Sequence, residues 1–140
     1  MPNEPVRAYI ALGSNLGDRE QYLALARERL GQLPETRLVA SSAIEETPPL
    51  SGKDQPLYLN QMVALDTRLS PRELLAACHA IEAAAGRERR IRWESRTLDL
   101  DLVCYGDVEL RDSDLTLPHP GLSERDFWQR GLAQLGRKGS

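Results

Sequence analysis

Twice along this chain the spacing of apolar residues changes from every second position to every third or fourth and back again. That order of periods narrows the folds open to it more than any other feature. Val6, Ala8, Ile10 and Leu12 alternate over residues 6–12, the pattern of a strand with one buried face. Gly13-Ser14-Asn15-Leu16-Gly17 then turns the chain, and Asp18 is placed to cap a helix, with Gln21 at the reciprocal position. Tyr22, Ala26, Leu30 and Leu33 recur at helical spacing until Pro34 stops them. Residues 38–46 and 58–69 read as extended, separated by the loop composition Thr47-Pro48-Pro49-Leu50-Ser51-Gly52-Lys53. Ser70-Pro71-Arg72-Glu73 opens a second helix with a cap, a first-turn proline and a closing glutamate. Leu74, Cys78, Ile81 and Ala85 form its stripe, and Gly86 ends it. Leu98, Leu100, Leu102 and Cys104 alternate again, Gly106-Asp107 turns the chain, and residues 123–135 read as a third helix.

Strand, helix, strand, strand, helix, strand in 140 residues points to one domain, residues 1–140, of the α+β class. The expected architecture is a ferredoxin-like βαββαβ antiparallel sheet with helices on one face, plus a C-terminal hairpin and short helix. The opposite face, with the loops at its ends, is left free for a site.

The formal charge of −3 supplies no basic field for nucleic acid. Five arginines (Arg87, Arg89, Arg90, Arg92 and Arg96) nevertheless fall within ten positions, against Glu88 and Glu94. Such a local anion site suits a small phosphorylated ligand better than a polymer. Cys78 and Cys104 lie in apolar patterns without Cys-x-x-Cys spacing and read as reduced packing residues, a disulfide being the alternative. No apolar run nears the ~20 residues that span a bilayer, and the first residues lack the order of a signal peptide. The expectation is a cytoplasmic protein with small-molecule substrates and no nucleic-acid or membrane partner. It is expected to be a monomer, with a dimer as the alternative.

The sharpest chemical feature is Thr97-Leu98-Asp99-Leu100-Asp101-Leu102. Residues two apart on a strand point the same way, so Asp99 and Asp101 share a face while the leucines bury the other. Two carboxylates this close repel unless a cation sits between them, and hard oxygen ligands suit Mg²⁺, which completes its shell with phosphates and water. A bare Asp-x-Asp is usually a solvated strand face; five nearby arginines tip the reading to metal. Arg87 and Arg96, at the ends of the cationic segment, have the planar fork that grips phosphate, although a solvated loop or an RNA contact using Trp93 would share that composition. His79 and Glu82 lie three apart on the second helix, and His119 stands between Pro118 and Pro120, with Arg125 and Phe127 shortly after. Tyr58 and Asn60 put a ring and an amide on one side of a strand. Taken singly, these read as surface, turn and packing residues. Residues 13–18 lack the Gly-Lys-Ser/Thr ending of a Walker sequence and the dinucleotide-binding glycine spacing.

Five stretches in order carry a resemblance: residues 9–18, Thr47-Pro48-Pro49-Leu50, Gln55-Pro56-Leu57-Tyr58-Leu59-Asn60, Arg96-Thr97-Leu98-Asp99-Leu100-Asp101 and Pro118-His119-Pro120. Together they resemble the 6-hydroxymethyl-7,8-dihydropterin pyrophosphokinase family across roughly residues 6 to 132. The resemblance implies transfer of the β,γ-pyrophosphate of ATP to the pterin alcohol in folate biosynthesis, with release of AMP. It implies that Asp99 and Asp101 hold two Mg²⁺ ions and that Tyr58 and Phe127 sandwich the pterin. Asn60, with the backbone of Thr47, Pro49 and Leu50, would read the pterin edge. Arg87, Arg96, His119 and Arg125 would bind phosphates, with His79 and Glu82 near the nucleotide and Trp93 closing over both substrates. The pattern departs from the family at Glu94-Ser95, where Gly-Pro is usual, and at Arg130-Gly131-Leu132, where a Pro-Leu step is usual. A divergent paralogue that binds pterin or nucleotide with little activity is the alternative, and an RNA-binding module a third reading.

Overall fold

Extended apolar runs form the strands here, the central ones buried on both faces over most of their length, and two capped stretches with an apolar stripe form the helices laid across them. A computed structural model of the chain describes residues 4–15, 17–48, 57–86 and 98–137. The strands are β1 (Val6–Ser14), β2 (Thr36–Ser41), β3 (Glu45–Thr47), β4 (Tyr58–Thr67) and β5 (Asp99–Tyr105). They form one antiparallel sheet in the order β2-β4-β1-β5, with β3 pairing the other end of β4. β6 (Leu110–Arg111) and β7 (Thr116–Leu117) make the expected hairpin after the turn. The fold is thus α+β with an antiparallel sheet.

Helices α1 (Arg19–Gly31) and α2 (Pro71–Gly86) start as their sequences dictate. Asp18 Oδ1 accepts the Gln21 N–H at 3.2 Å. At α2 the box is closed both ways: Ser70 Oγ accepts from the Glu73 amide at 3.1 Å, and Glu73 Oε1 accepts from the Ser70 amide at 2.8 Å. Leu23, Ala26 and Leu30 of α1 and Leu74, Cys78 and Ile81 of α2 pack on one sheet face, against Ile10, Leu12, Val63, Leu65, Leu100 and Leu102. Each such fully buried leucine contributes roughly 1.5–3 kcal/mol.

Four expectations are corrected. The strand expected over residues 38–46 splits at Ser42, whose Oγ accepts the Met62 amide at 2.9 Å while its own amide donates to the Met62 carbonyl at 2.8 Å. The helix expected over residues 123–135 is a 3₁₀ turn (Pro120–Glu124) followed by α3 (Asp126–Gln134), broken where Arg125 turns extended. α3 also lies on the face expected to be free: Trp128 and Leu132 pack there on Tyr9, Ala11, Met62, Ala64 and Val103. A bulge opposite Tyr9/Ile10 moves Cys104 onto this second face as well, out of register with Leu98, Leu100 and Leu102. Both cysteines are free and buried; burial pushes the Cys78 thiol up to about 12 and raises that of Cys104, so both are inert packing groups. Among the described residues, no helix is long and apolar enough to cross a membrane.

Candidate active site

What α3 leaves open is one end of the sheet, and there the register sets four residues in a row. Glu45 faces Asn60, Asn60 faces Gly13, and Gly13 faces Asp99. The row therefore crosses β3, β4, β1 and β5 on a single face, with no side chain at the β1 position. Neighbouring strands lie about 4.8 Å apart, so Asn60 and Asp99 stand about 10 Å apart across the glycine. A Cβ at Gly13 would lie 3.6 Å from Asn60 Oδ1, 3.6 Å from Tyr58 Cδ1 and 3.9 Å from Asp99 Cβ. The Tyr58 ring, the Asn60 amide and the Asp99 side chain thus converge above one bare stretch of backbone.

Asn60 Nδ2 donates to Thr47 Oγ1 at 2.6 Å and to the Glu45 carbonyl at 3.4 Å. The donor half of the amide is engaged, and the acceptor half points over Gly13. Phe127, in the first turn of α3, lines a narrow crevice with Asn60, Glu45, Met62 and Gly131.

On the other side of Gly13 the sheet drops into an open cleft of about 510 Å³. It is lined by Asp99 and Asp101 of β5, His79 and Glu82 of α2, and His119 and Arg125, with Ser113–Thr116 of the β6–β7 hairpin as a wall. Arg72 of α2 holds that wall, donating to Asp114 at 2.6 Å and also to Asp112. His119 Nδ1 accepts the Gly121 amide at 2.9 Å, so in the neutral ring the proton sits on Nε2, 3.8 Å from Asp101 Oδ1. Burial pulls the His119 imidazole below its ordinary value, Asp101 opposes that shift and Arg125 adds to it.

The side chains of this cleft are of the types that a cation and phosphate site uses. Two half-exposed carboxylates on one strand face supply hard oxygen donors, and a histidine and an arginine supply donors to anions. Among the described residues no group of three or more His, Cys, Asp or Glu converges as a closed metal cage. A Mg²⁺ site needs none, because one or two carboxylates suffice when substrate phosphates complete the octahedron.

Residues 9–137 match the family of 7,8-dihydro-6-hydroxymethylpterin-pyrophosphokinases. The chain belongs to that family. A 2-amino-4-hydroxy-6-hydroxymethyldihydropteridine pyrophosphokinase of Methylorubrum extorquens is 46% identical over 129 residues, covering 92% of this chain and 82% of the relative. The enzyme of that name from Pseudomonas aeruginosa is 44% identical, covering 92% and 80%. That from Bacillus subtilis is 42% identical, covering 91% and 77%.

Against the family expectation, Asp99, Asp101, His79, Glu82, His119 and Arg125 share the cleft, and Thr47, Tyr58, Asn60 and Phe127 gather on the other side of Gly13. Pro49, Leu50, Arg87, Trp93 and Arg96 lie outside the described residues, as does the rest of the arginine cluster. Sequence reasoning missed Trp128. Its ring meets His119 edge-on at 4.9 Å and carries the Arg125 guanidinium 4.4 Å above its centroid, so one aromatic steers both side chains. The only signal was an aromatic three residues after Arg125, at the spacing of one helical turn.

Glu82 also holds the strand that carries the two aspartates. Among the described residues β5 is an edge strand, and the amide of Leu100, between the two aspartates, donates to Glu82 Oε2 at 2.7 Å. Glu82→Ala would leave that amide without its acceptor and cost about 1–3 kcal/mol. The expected result is a melting temperature lower by about 3–8 °C together with weaker MgATP binding. An unchanged melting temperature would show that water replaces the carboxylate.

Proposed function

We propose that this chain transfers the β,γ-pyrophosphate of ATP to the hydroxymethyl oxygen of 6-hydroxymethyl-7,8-dihydropterin, releasing AMP, as a cytoplasmic Mg²⁺-dependent enzyme of folate biosynthesis. One observation carries the reading: a heterocycle-reading side, Tyr58 and Asn60, and an acidic pair share a sheet face with only Gly13 between them. The strand order and the pair of helices on one face support the ferredoxin-like assignment.

In this reading the pterin lies between Tyr58 and Phe127, and Asn60 Oδ1 accepts a hydrogen bond from its pyrimidine N–H edge. The backbone of Thr47, Pro49 and Leu50 completes that edge. ATP lies in the cleft. Asp99 and Asp101 hold Mg²⁺, two ions being expected, which supplies charge neutralisation along the triphosphate. His119 donates from Nε2 to a phosphate oxygen, and Arg125, Arg87 and Arg96 clamp the chain of phosphates, with Trp93 closing over the substrates. The hydroxymethyl oxygen forms a bond to the β-phosphorus and gives up its proton to water as the bond from that phosphorus to the α,β-bridging oxygen breaks, and AMP leaves with that oxygen. Alignment of two substrates across a bare glycine and neutralisation of shifting charge are the contributions such a transfer needs.

Purified protein given MgATP is expected to release AMP only when the hydroxymethyl-dihydropterin is present, the pterin gaining two phosphates, and EDTA should stop the reaction. AMP release without pterin, or none at all, would leave a binding role for the same pocket.

A further inference from the structure

We propose that Gly131 is a specificity-determining position, because it lets α3 lie close enough to β4 to set the width of the slot that takes the heterocycle. The identity of the slot's ligand rests on the function proposed above.

Gly131 is buried in the middle of α3, and a Cβ there would fall 2.7 Å from Met62 Cβ. Carbon atoms in ordinary contact stay about 3.5–4.0 Å apart, so a methyl group at this position would need about 1 Å more room. Met62 Cβ is bonded directly to the β4 backbone and has no rotamer that moves it, which leaves the helix to retreat. Phe127 lies four residues before Gly131, on the same side of α3, and Asn60 lies two residues before Met62, on the same face of β4. The helix and the strand therefore carry any separation at the Gly131–Met62 contact directly to Phe127 and Asn60. A planar ring held between two walls loses a quarter to a half of its contact attraction when the gap opens by about 0.5–1 Å.

Two polar contacts hold α3 at this distance from outside the core. Arg130 donates from Nε and Nη2 to Glu45 Oε2 at 2.9 and 2.8 Å, and Glu45 is the register partner of Asn60. Gln134 Oε1 accepts the Ala43 amide at 2.9 Å. Both brace the helix on the segment that frames the slot, which makes Arg130 a positioning residue.

The test separates the two substrates. Gly131→Ala is expected to raise the KM and Kd for the hydroxymethyl-dihydropterin about tenfold, with the KM for MgATP within about twofold of wild type. Leu30→Ala, buried on the opposite face in α1, is the stability control: it should lower the melting temperature and leave both KM values unchanged. Arg130→Met removes the brace without adding bulk at the contact, and should raise the pterin KM about threefold. Glu45→Gln should do the same, and the double variant should be no worse than either alone. An unchanged pterin KM in Gly131→Ala, or equal rises for both substrates, overturns the proposal. Should that variant fail to fold, an unchanged pterin KM in Arg130→Met overturns it instead. A wild-type chain without pterin-dependent AMP release sinks the functional reading and not the contact. The contact is then judged by calorimetry with the dihydropterin, where equal affinity in wild type and variant overturns it.

Discussion

Asp99→Ala and Asp101→Ala are each expected to lower pterin-dependent AMP release by about three orders of magnitude or more, a loss of roughly 4 kcal/mol of transition-state stabilisation. The fold should survive both changes. Neither side chain sits in the core: both line the open cleft, and the Asp101 carboxylate is 42% exposed. Removing either one also relieves the repulsion between two carboxylates on the same strand face. The melting temperature of the variants should stay close to that of the wild type, so a loss of turnover would report on the site and not on folding. Asp99→Asn sharpens the test, because it keeps the shape and removes only the charge. Its expected outcome is weak MgATP binding with normal binding of the pterin alone. Near-normal turnover in any of these variants would show that the strand's acidic face is merely solvated.

The contrast between what this chain announces and what it conceals follows from the range over which each signal acts. The start of α2 was legible to the residue, because Ser70 and Glu73 satisfy each other's amides locally and need nothing from the rest of the fold. The face shared by Asp99 and Asp101 was legible for the same reason: strand geometry alone fixes it. The division of residues 38–46 was not, since it depends on Ser42 exchanging hydrogen bonds with Met62, twenty residues away. The bulge that moves Cys104 across the sheet is likewise a matter of pairing between β1 and β5. The seat of α3 was concealed most fully. A C-terminal amphipathic helix shows which of its own sides is apolar, not which face of a sheet will receive it. That one tertiary fact puts Trp128 against His119 and Arg125, and brings Phe127 to the pocket that Asn60 lines. The site residues were therefore named from motifs, whereas the groups that aim them became visible only with the fold.

Gly13 shows the same gap between motif and geometry, and its replacement should have the second largest effect. In sequence it opens a turn; in the structure it is the bare position of β1 between Asn60 and Asp99. An alanine Cβ would meet its nearest neighbours at 3.6 Å, ordinary contact, so Gly13→Ala should cost only a few-fold in turnover. Gly13→Leu would carry three more carbons into the space where the Tyr58 ring, the Asn60 acceptor and the Asp99 side chain converge. Pterin-dependent AMP release should then fall at least about 100-fold, as expected when a misplacement of about 1 Å spoils the alignment of reacting groups. The melting temperature should hold, because glycine inside a strand is itself destabilising and leucine restores chain stiffness. Calorimetry should show the pterin's affinity reduced more than that of MgATP, since the blocked volume lies on the Tyr58 side of the carboxylates. Wild-type turnover in Gly13→Leu would mean that the two substrates do not meet over this residue. The hydroxymethyl oxygen would then have to reach the triphosphate by a path that does not cross β1, and the row from Asn60 to Asp99 would lose its meaning for the transfer.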